Sequence, residues 1–137
     1  MSDTADAYRT CSERMETEPK DAALAAKRFR WPTLHSGDCT MFEGATWTLL
    51  SDGRASFDAV VTSSDDDDAW IIHHADLLDR NQAVMASVVN VNPWPDNPHK
   101  FAQNMPDHRQ RYRFTAQGRF NPGLFEQTVF MSMTYSC

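Results

Sequence analysis

Hydrophobic and polar residues alternate along most of the chain beyond residue 38, which is the spacing of β-strands. The clearest stretch is ATWTLLSDGRASFDAVVT, residues 45–62. Trp47 belongs to the apolar face of its first strand and Phe57 to the apolar face of its second, because successive side chains of a strand point to opposite faces. The stretch therefore predicts an antiparallel hairpin with one buried face.

The turn of this hairpin decides which side chains meet across the two strands. A two-residue turn at Asp52 and Gly53 would set Trp47 against a polar residue. A three-residue turn, with Gly53 in the left-handed conformation, sets Trp47 opposite Phe57. A register shift of one residue would turn the whole apolar face outward, so the pattern favours the three-residue turn.

A second hairpin is predicted in AWIIHHADLLDRNQAVMASVVNV, residues 69–91. If its three-residue turn ends at Asn81 in the left-handed conformation, His73 faces Ser87 on a face that is otherwise apolar. His73 is therefore predicted to point inward. The opposite face carries a mixed set of side chains that suits solvent or a protein partner. Its members are Trp70, His74 and Asp76.

The rest of the chain favours the same fold class. Three prolines within NPWPDNP, residues 92–98, exclude a central strand there, whereas residues 109–117 and 124–136 alternate again. About six to eight strands joined by short turns predict a mainly β fold, a single antiparallel barrel with a sandwich as the alternative. The architecture resembles a lipocalin-type (calycin-like) barrel, a likeness of fold alone that implies no function.

The amino-terminal residues differ in composition from the rest. Residues 1–30 are rich in alanine and charge, and they predict a helical or loosely ordered arm on a barrel domain of residues 31–137. Residues 21–29 are good helix formers with basic residues in the last turn, and Pro32 follows them. We expect this arm to fold over the mouth of the barrel as a lid.

Length and charge narrow the class of protein. A chain of 137 residues fits one domain. Its 19 acidic residues outnumber 13 basic ones, and the net charge of −6 disfavours a nucleic-acid partner. The sequence has no apolar run of membrane-spanning length, so no membrane partner is expected. The first residues do not have the pattern of a secretory signal, so a cytoplasmic location is expected.

The three cysteines and the known motifs add little chemistry. Cys11, Cys39 and Cys137 are too far apart for a zinc motif, and free thiols are expected in a reducing cytoplasm. Pairing of Cys39 with Cys137 is the alternative, since they flank the first and last strong strands. Nucleotide-binding, serine-hydrolase and zinc-protease motifs are missing from the sequence, so neither a cofactor nor a metal is expected. The four aspartates at 65–68 are interpreted as a solvated loop.

Polar side chains at inward positions are the candidates for chemistry. A buried histidine loses solvation, so its pKa falls and it can act as a base toward a bound molecule. The predicted catalytic residues are His73, Gln127, Tyr112 and Tyr135. The predicted substrate-binding residues are Trp47, Phe57, Ser87, Trp94, Met131 and Met133.

These positions predict a barrel that binds a hydrophobic small molecule in an internal cavity. A site of this kind suits a cofactor-independent enzyme of the cyclase, isomerase or dehydratase type. The alternative is a solid barrel without catalytic activity, a binding or interaction module. In that case the mixed face of Trp70, His74 and Asp76 would form the contact, for example in a homodimer.

Overall fold

The computed structural model describes residues 3–15 and 24–137. In this part of the chain the secondary structure is β-strand, with one short 3-10 helix at Pro122–Leu124 and no α-helix. The prediction of a mainly β fold is confirmed. The strands are β1 Asp3–Met15, β2 Leu24–Trp31, β3 Leu34–Ser36, β4 Cys39–Met41, β5 Ala45–Leu50, β6 Arg54–Ser63, β7 Asp68–Leu78, β8 Val84–Ser87, β9 Val89–Asn90, β10 Phe101–Met105, β11 Tyr112–Arg119 and β12 Phe130–Ser136.

The strands form one antiparallel sheet with two open ends. Its order is β10-β7-β12-β1-β2-β5-β6-β11-β9, with the β3–β4 hairpin attached to β6 and with β8 attached to β7. Within the described ranges, no ladder joins β10 to β9 or β11, so a closed barrel is not confirmed. The two ends nevertheless lie close together, because Asn90 donates through its backbone N to Pro98 O (2.9 Å) and through Nδ2 to Lys100 O (2.8 Å). We call this opening between β10 on one side and β9 and β11 on the other the seam.

The inward faces of the strands meet in a single aromatic core. Trp47 of β5 lies 5.0 Å from Phe57 of β6 and 5.2 Å from Phe101 of β10, measured between ring centroids. Phe57 in turn lies 5.3 Å from Phe114 of β11. Because Phe101 comes from one end of the sheet and Phe114 from a strand near the other, these contacts bring the two ends over one core.

The first predicted hairpin is confirmed in register and in turn. Trp47 pairs with Phe57 across β5 and β6, and Gly53 has a φ of 95°. A side chain at Gly53 would also place its Cβ 2.7 Å from Phe120 O, so both the backbone conformation and the packing require glycine here.

The predicted helical arm at the amino terminus is wrong. Residues 3–15 form β1, which pairs with β12 and β2, and β2 pairs with β5. Helix propensity is a weak preference, and here it is overridden by pairing with neighbouring strands and by burial of Phe29 and Trp31. β2 also runs across the predicted boundary between residues 30 and 31. The first residues of the predicted helix, 21–23, lie outside the described residues.

The second predicted hairpin forms with a different turn and register. The left-handed residue is Gln82 (φ 62°), not Asn81, and Ser87 pairs with Asp76, not with His73.

A bulge on β7 changes which of its side chains point inward. The register with β12 shifts between Thr134 and Tyr135, and beyond that point Trp70 and Ile72 are fully buried. His73 consequently lies half-buried on the outer face, and its predicted inward position is wrong. The placement of Trp70 on an exposed mixed face is wrong for the same reason.

The buried side chain of Lys27, on β2, forms hydrogen bonds with the turn that precedes β12. Its side chain is 5% exposed, and Nζ donates to Phe125 O (2.6 Å), Thr128 O (2.9 Å) and Glu126 O (3.3 Å). The ammonium also lies 4.7 Å from the centre of the Phe125 ring. An ammonium group offers three donors, so these carbonyls are suitable partners for a buried lysine.

Cys39 and Cys137 form a disulfide whose Cα atoms are 6.1 Å apart. The expectation of free thiols is therefore wrong for this pair, and the alternative of a Cys39–Cys137 bond holds. The bond ties the β3–β4 hairpin to the chain end after β12. A search for helices long and apolar enough to cross a membrane finds none among the described residues.

Candidate binding site at the seam

A pocket of about 380 Å³ lies at the seam, where the sheet does not close. Its walls come from the segment after β9, from β10 and from β11. The lining residues are Asn90, Val91, Asn92, Trp94, Phe101, Ala102, Phe114, Thr115, Ala116 and Gln117. The pocket volume falls at the lower end of the usual range for small-molecule sites, roughly 300–1,000 Å³.

Trp94 is the large apolar group at the surface of this pocket. Its neighbours Pro93 and Pro95 keep the segment out of the sheet, and Trp94 forms an isolated bridge with Asn97. The side chain is 43% exposed, whereas the other three tryptophans of the chain are buried. Lys100 Nζ lies 4.5 Å from the centre of the Trp94 ring, which holds the ring by a cation–π contact.

The floor of the pocket is part of the hydrophobic core. Phe101 and Phe114 are 2% and 1% exposed, and both pack with the core aromatics described above. Rings held in a close-packed core change position little, so the floor is preformed. Val91, which is 40% exposed, adds an apolar patch at the rim.

The polar part of the lining is neutral and available for hydrogen bonding. The side chains of Asn92, Thr115 and Gln117 are exposed, and the described contacts give them no side-chain partner. The Asn90 amide is already occupied, because Nδ2 donates to Lys100 O and Oδ1 accepts from the Asn92 backbone N (2.9 Å). None of the lining residues carries a charge.

The four predicted catalytic residues are not brought together. His73 on β7 lies beside the last strand, with Nε2 2.7 Å from Ser136 Oγ. Gln127 is exposed in the turn after the 3-10 helix. Tyr112, at the start of β11, accepts a hydrogen bond from the Asp107 backbone N (3.0 Å). Tyr135 is buried, and its ring lies 5.2 Å from that of Trp70 in a stacked arrangement.

The imidazole of His73 is biased toward its neutral form. Desolvation by burial lowers the pKa of His73 below its ordinary value, and electrostatic interactions with His74 and Lys100 lower this pKa further. A neutral imidazole can accept the Ser136 hydroxyl proton in a hydrogen bond. His73 and Ser136 do not line the seam pocket.

Most of the predicted substrate-binding residues belong to the core. Trp47, Phe57, Met131 and Met133 are fully buried or nearly so. Of the predicted set, Trp94 alone lines the seam pocket. Sequence reasoning missed the rest of the lining, because nothing in the local pattern shows that β10 and β11 approach each other.

Ser87 belongs to a second polar cluster, on the outer face of β7 and β8. Asp76, 9% exposed, accepts from Ser87 Oγ (2.6 Å) and from His74 Nδ1 (3.0 Å). In a nucleophilic triad the histidine binds the serine, and the aspartate orients the histidine. Here the aspartate binds both other members, so the cluster satisfies a buried carboxylate and does not activate Ser87.

Among the residues that the structure describes, three groups of side chains have ligand atoms within 4.8 Å of one another, close enough to share a metal ion. They are Cys39, Asp68 and Cys137; Asp66, Asp107 and His108; and Asp38, Asp65 and Asp68. The two cysteines of the first group are joined to each other. In the second, Arg109 binds Asp107 and lowers its pKa to about 2, and His108 binds Asp66. In the third, the contact with Asp38 raises the pKa of Asp65. The first two groups therefore already have partners within the protein, and Asp68 of the third accepts a hydrogen bond from Ser63 Oγ.

Two tryptophan N–H groups in the core have no acceptor. Nε1 of Trp47 and Nε1 of Trp70 are fully buried, and neither donates a hydrogen bond to any described residue. Buried donors of this kind normally bind a protein group, a water molecule or a ligand. The interior therefore offers two donors to a small polar occupant.

Fold and site together define a class: a mainly β protein with a neutral, aromatic-floored pocket where its sheet is open. Residues 46–137 match the model of a family of unknown function (DUF6294), and the chain belongs to that family. The matched span contains the whole seam pocket. Neither the search of curated proteins nor the search of solved structures found a match.

Proposed function

We propose that the protein binds a small molecule in the seam pocket, with Trp94 as the main contact. The observation that carries this proposal is an exposed tryptophan beside unpaired amides, above a buried aromatic floor. Large exposed apolar side chains in a concave, partly polar setting are typical of ligand sites.

Burial of Trp94 by a ligand is expected to make a measurable contribution to the free energy of binding. A tryptophan has about 150–250 Å² of surface. Covering the whole exposed fraction of 43% therefore removes roughly 65–110 Å² from water and contributes about 1.5–2.5 kcal/mol. Phe101 and Phe114 below the pocket are 2% and 1% exposed, so they fix the shape of the floor and add almost no contact area of their own.

We infer that the sheet is a barrel split along the seam, with the ligand entering at the split. The bonds from Asn90 to Pro98 and Lys100, together with the packing of Phe101 on Trp47, support this interpretation. The proposal is binding without a catalytic step, because none of the four predicted catalytic residues lines the pocket.

A second candidate is the internal site expected from the sequence. The free N–H groups of Trp47 and Trp70 favour it, since an apolar ligand with one or two acceptor atoms would satisfy them. This alternative needs the core aromatics to separate, whereas the seam pocket is already formed.

Tryptophan side-chain NMR separates the two candidates. The chain has four tryptophans, so a ¹H–¹⁵N spectrum shows four indole signals, and Trp94→Phe assigns one of them. We expect members of a small-molecule fragment library to shift the Trp94 signal. Trp94→Ala should weaken their binding at least tenfold, whereas Val84→Ala, an exposed apolar control away from the pocket, should not.

Two outcomes of the same NMR experiment would contradict the proposal. Shifts confined to the Trp47 and Trp70 signals, with unchanged affinity in Trp94→Ala, would move the site to the interior. A library that shifts none of the four signals would reject both candidates.

The disulfide bears on where this binding takes place. We infer that the protein works in an oxidising compartment, not in the cytoplasm expected from the sequence, because disulfides persist where thiols are not kept reduced. Thiol titration of the protein taken directly from its native source tests this inference. One reactive thiol per denatured chain is expected, and three would restore the cytoplasmic location.

A further inference from the structure

We infer that the ligand of the seam pocket is a neutral carbohydrate, bound with one ring face against Trp94. This inference rests on the proposed function and names the class of molecule that the same site takes. Its basis is the chemistry of the lining: an exposed indole, an apolar floor and a polar edge without charge.

The polar edge matches a ligand whose groups both donate and accept hydrogen bonds. Asn92 and Gln117 each offer an amide with two donors and an acceptor, and Thr115 adds a hydroxyl that does both. Sugar hydroxyls have the same dual character. A ligand with acceptors alone would leave the amide oxygens without partners, and such losses weaken binding.

The charge of the lining excludes strong recognition of an ionised ligand. No guanidinium, ammonium or carboxylate group lines the pocket, so a phosphate, a carboxylate or an amine would find no ion-pair partner. Lys100, whose Nζ lies 4.5 Å from the centre of the Trp94 ring, is not among the lining residues, and its ammonium is engaged by that ring. A neutral ring gives up less hydration on entering than an ion does.

Shape favours a ring with an apolar face and a polar rim. The C–H groups of a pyranose face can lie on an indole, while its equatorial hydroxyls point sideways toward amides such as those of Asn92 and Gln117. Weak C–H contacts and area burial against the ring both contribute. The volume of about 380 Å³ suits a ligand of one or two rings.

The test is a titration followed by the Trp94 indole signal, with two groups of probes. The saccharides are methyl β-glucoside, cellobiose, maltose, lactose and N,N′-diacetylchitobiose, and the apolar ring compounds are indole and cyclohexanol. At least one saccharide is expected to shift the Trp94 signal saturably. Gln117→Leu should weaken that binding at least fivefold by removing the amide while keeping a side chain of similar size.

Matched controls separate the inference from the proposal on which it rests. Arg113→Leu, an exposed change on the same strand outside the pocket, should leave saccharide binding unchanged. Trp94 shifts caused by the apolar compounds and by no saccharide would overturn the carbohydrate class but keep the binding site. No Trp94 shift with either group, or with any fragment, would overturn both.

Charge is tested with a matched pair of ligands. Methyl β-glucoside and methyl β-glucuronide share a ring and differ only in a hydroxymethyl group against a carboxylate, so the neutral compound should bind at least as tightly. Tenfold tighter binding of the acid would overturn the neutral class.

Discussion

Lys27 is a residue whose effect on stability should be large for its size. Its ammonium is buried and holds the carbonyls of Phe125, Glu126 and Thr128, which come just before β12. We expect Lys27→Met to lower the free energy of unfolding by about 3 kcal/mol, because buried carbonyls would lose their donor. Urea denaturation followed by tryptophan fluorescence measures this change.

Arg54→Met is the matched control for this change. Arg54 binds Asp52 on the surface, and exposed ion pairs of this kind contribute about 0–1 kcal/mol. If Lys27→Met were as stable as Arg54→Met, the three hydrogen bonds would not be holding the turn.

The structural roles of some single residues can be predicted from the sequence, whereas the roles of others cannot. The role of Gly53 follows from local pattern, because one turn length keeps Trp47 opposite Phe57 and that turn needs a left-handed residue. The role of Lys27 does not, since its partners lie about a hundred positions further along the chain and are backbone atoms. The face on which His73 lies does not follow from the sequence, because the bulge on β7 exchanges inward and outward positions without any signal in hydrophobicity.

At the scale of elements, β11 passes unusually close to the residues around β9. A Cβ on Gly118 would collide with Val88 Cγ1, and it would lie 3.0 Å from Val89 O and 3.4 Å from Phe101 Cζ. We expect Gly118→Ala to lower the free energy of unfolding by about 1–3 kcal/mol, the usual effect of overpacking. It should also weaken ligand binding, because Phe101 forms part of the pocket floor.

The neighbouring exposed substitution Arg119→Ala serves as the control for this prediction. Denaturation curves and the Trp94 indole titration are measured on both variants. If Gly118→Ala matched wild type in both measurements, the residues around β9 would be able to move away from β11 without a loss of stability or of ligand binding.

Elements that pair with their neighbours in sequence were the most predictable ones. The β5–β6 hairpin was predicted in register because its turn and its apolar face agree. β1 and β2 were not predicted as strands, since β1 pairs with β12 at the far end of the chain and alanine-rich sequence favours a helix when considered alone. The seam also depends on strands that are distant in the sequence or unpaired with each other, so the sequence identifies only Trp94 among the residues of its pocket.

At the scale of the whole molecule, the candidate site is a consequence of incomplete closure. A sheet that closed fully would satisfy the edges of β10 and β11 with each other and would leave no opening at the seam. Here the proline-rich segment 92–98 leads from β9 toward β10, and it contributes Asn92 and Trp94 to the lining of the pocket at the seam.

The disulfide should dominate the stability of this molecule. Cys39 and Cys137 are separated by 98 positions. A bridge that closes a loop of this length restricts the unfolded chain and contributes up to about 4.7 kcal/mol. We expect reduction with dithiothreitol to lower the free energy of unfolding toward that extent, as measured by urea denaturation of the oxidised and the reduced protein.

Two variants test whether the loss of stability on reduction comes from the Cys39–Cys137 bond. Cys39→Ala/Cys137→Ala should match the reduced wild type and should no longer respond to dithiothreitol. Cys11→Ser should behave as wild type in both redox states, because the bridge joins the other two cysteines. If reduction left the denaturation midpoint of wild type unchanged, the bridge would contribute nothing to the stability of the sheet.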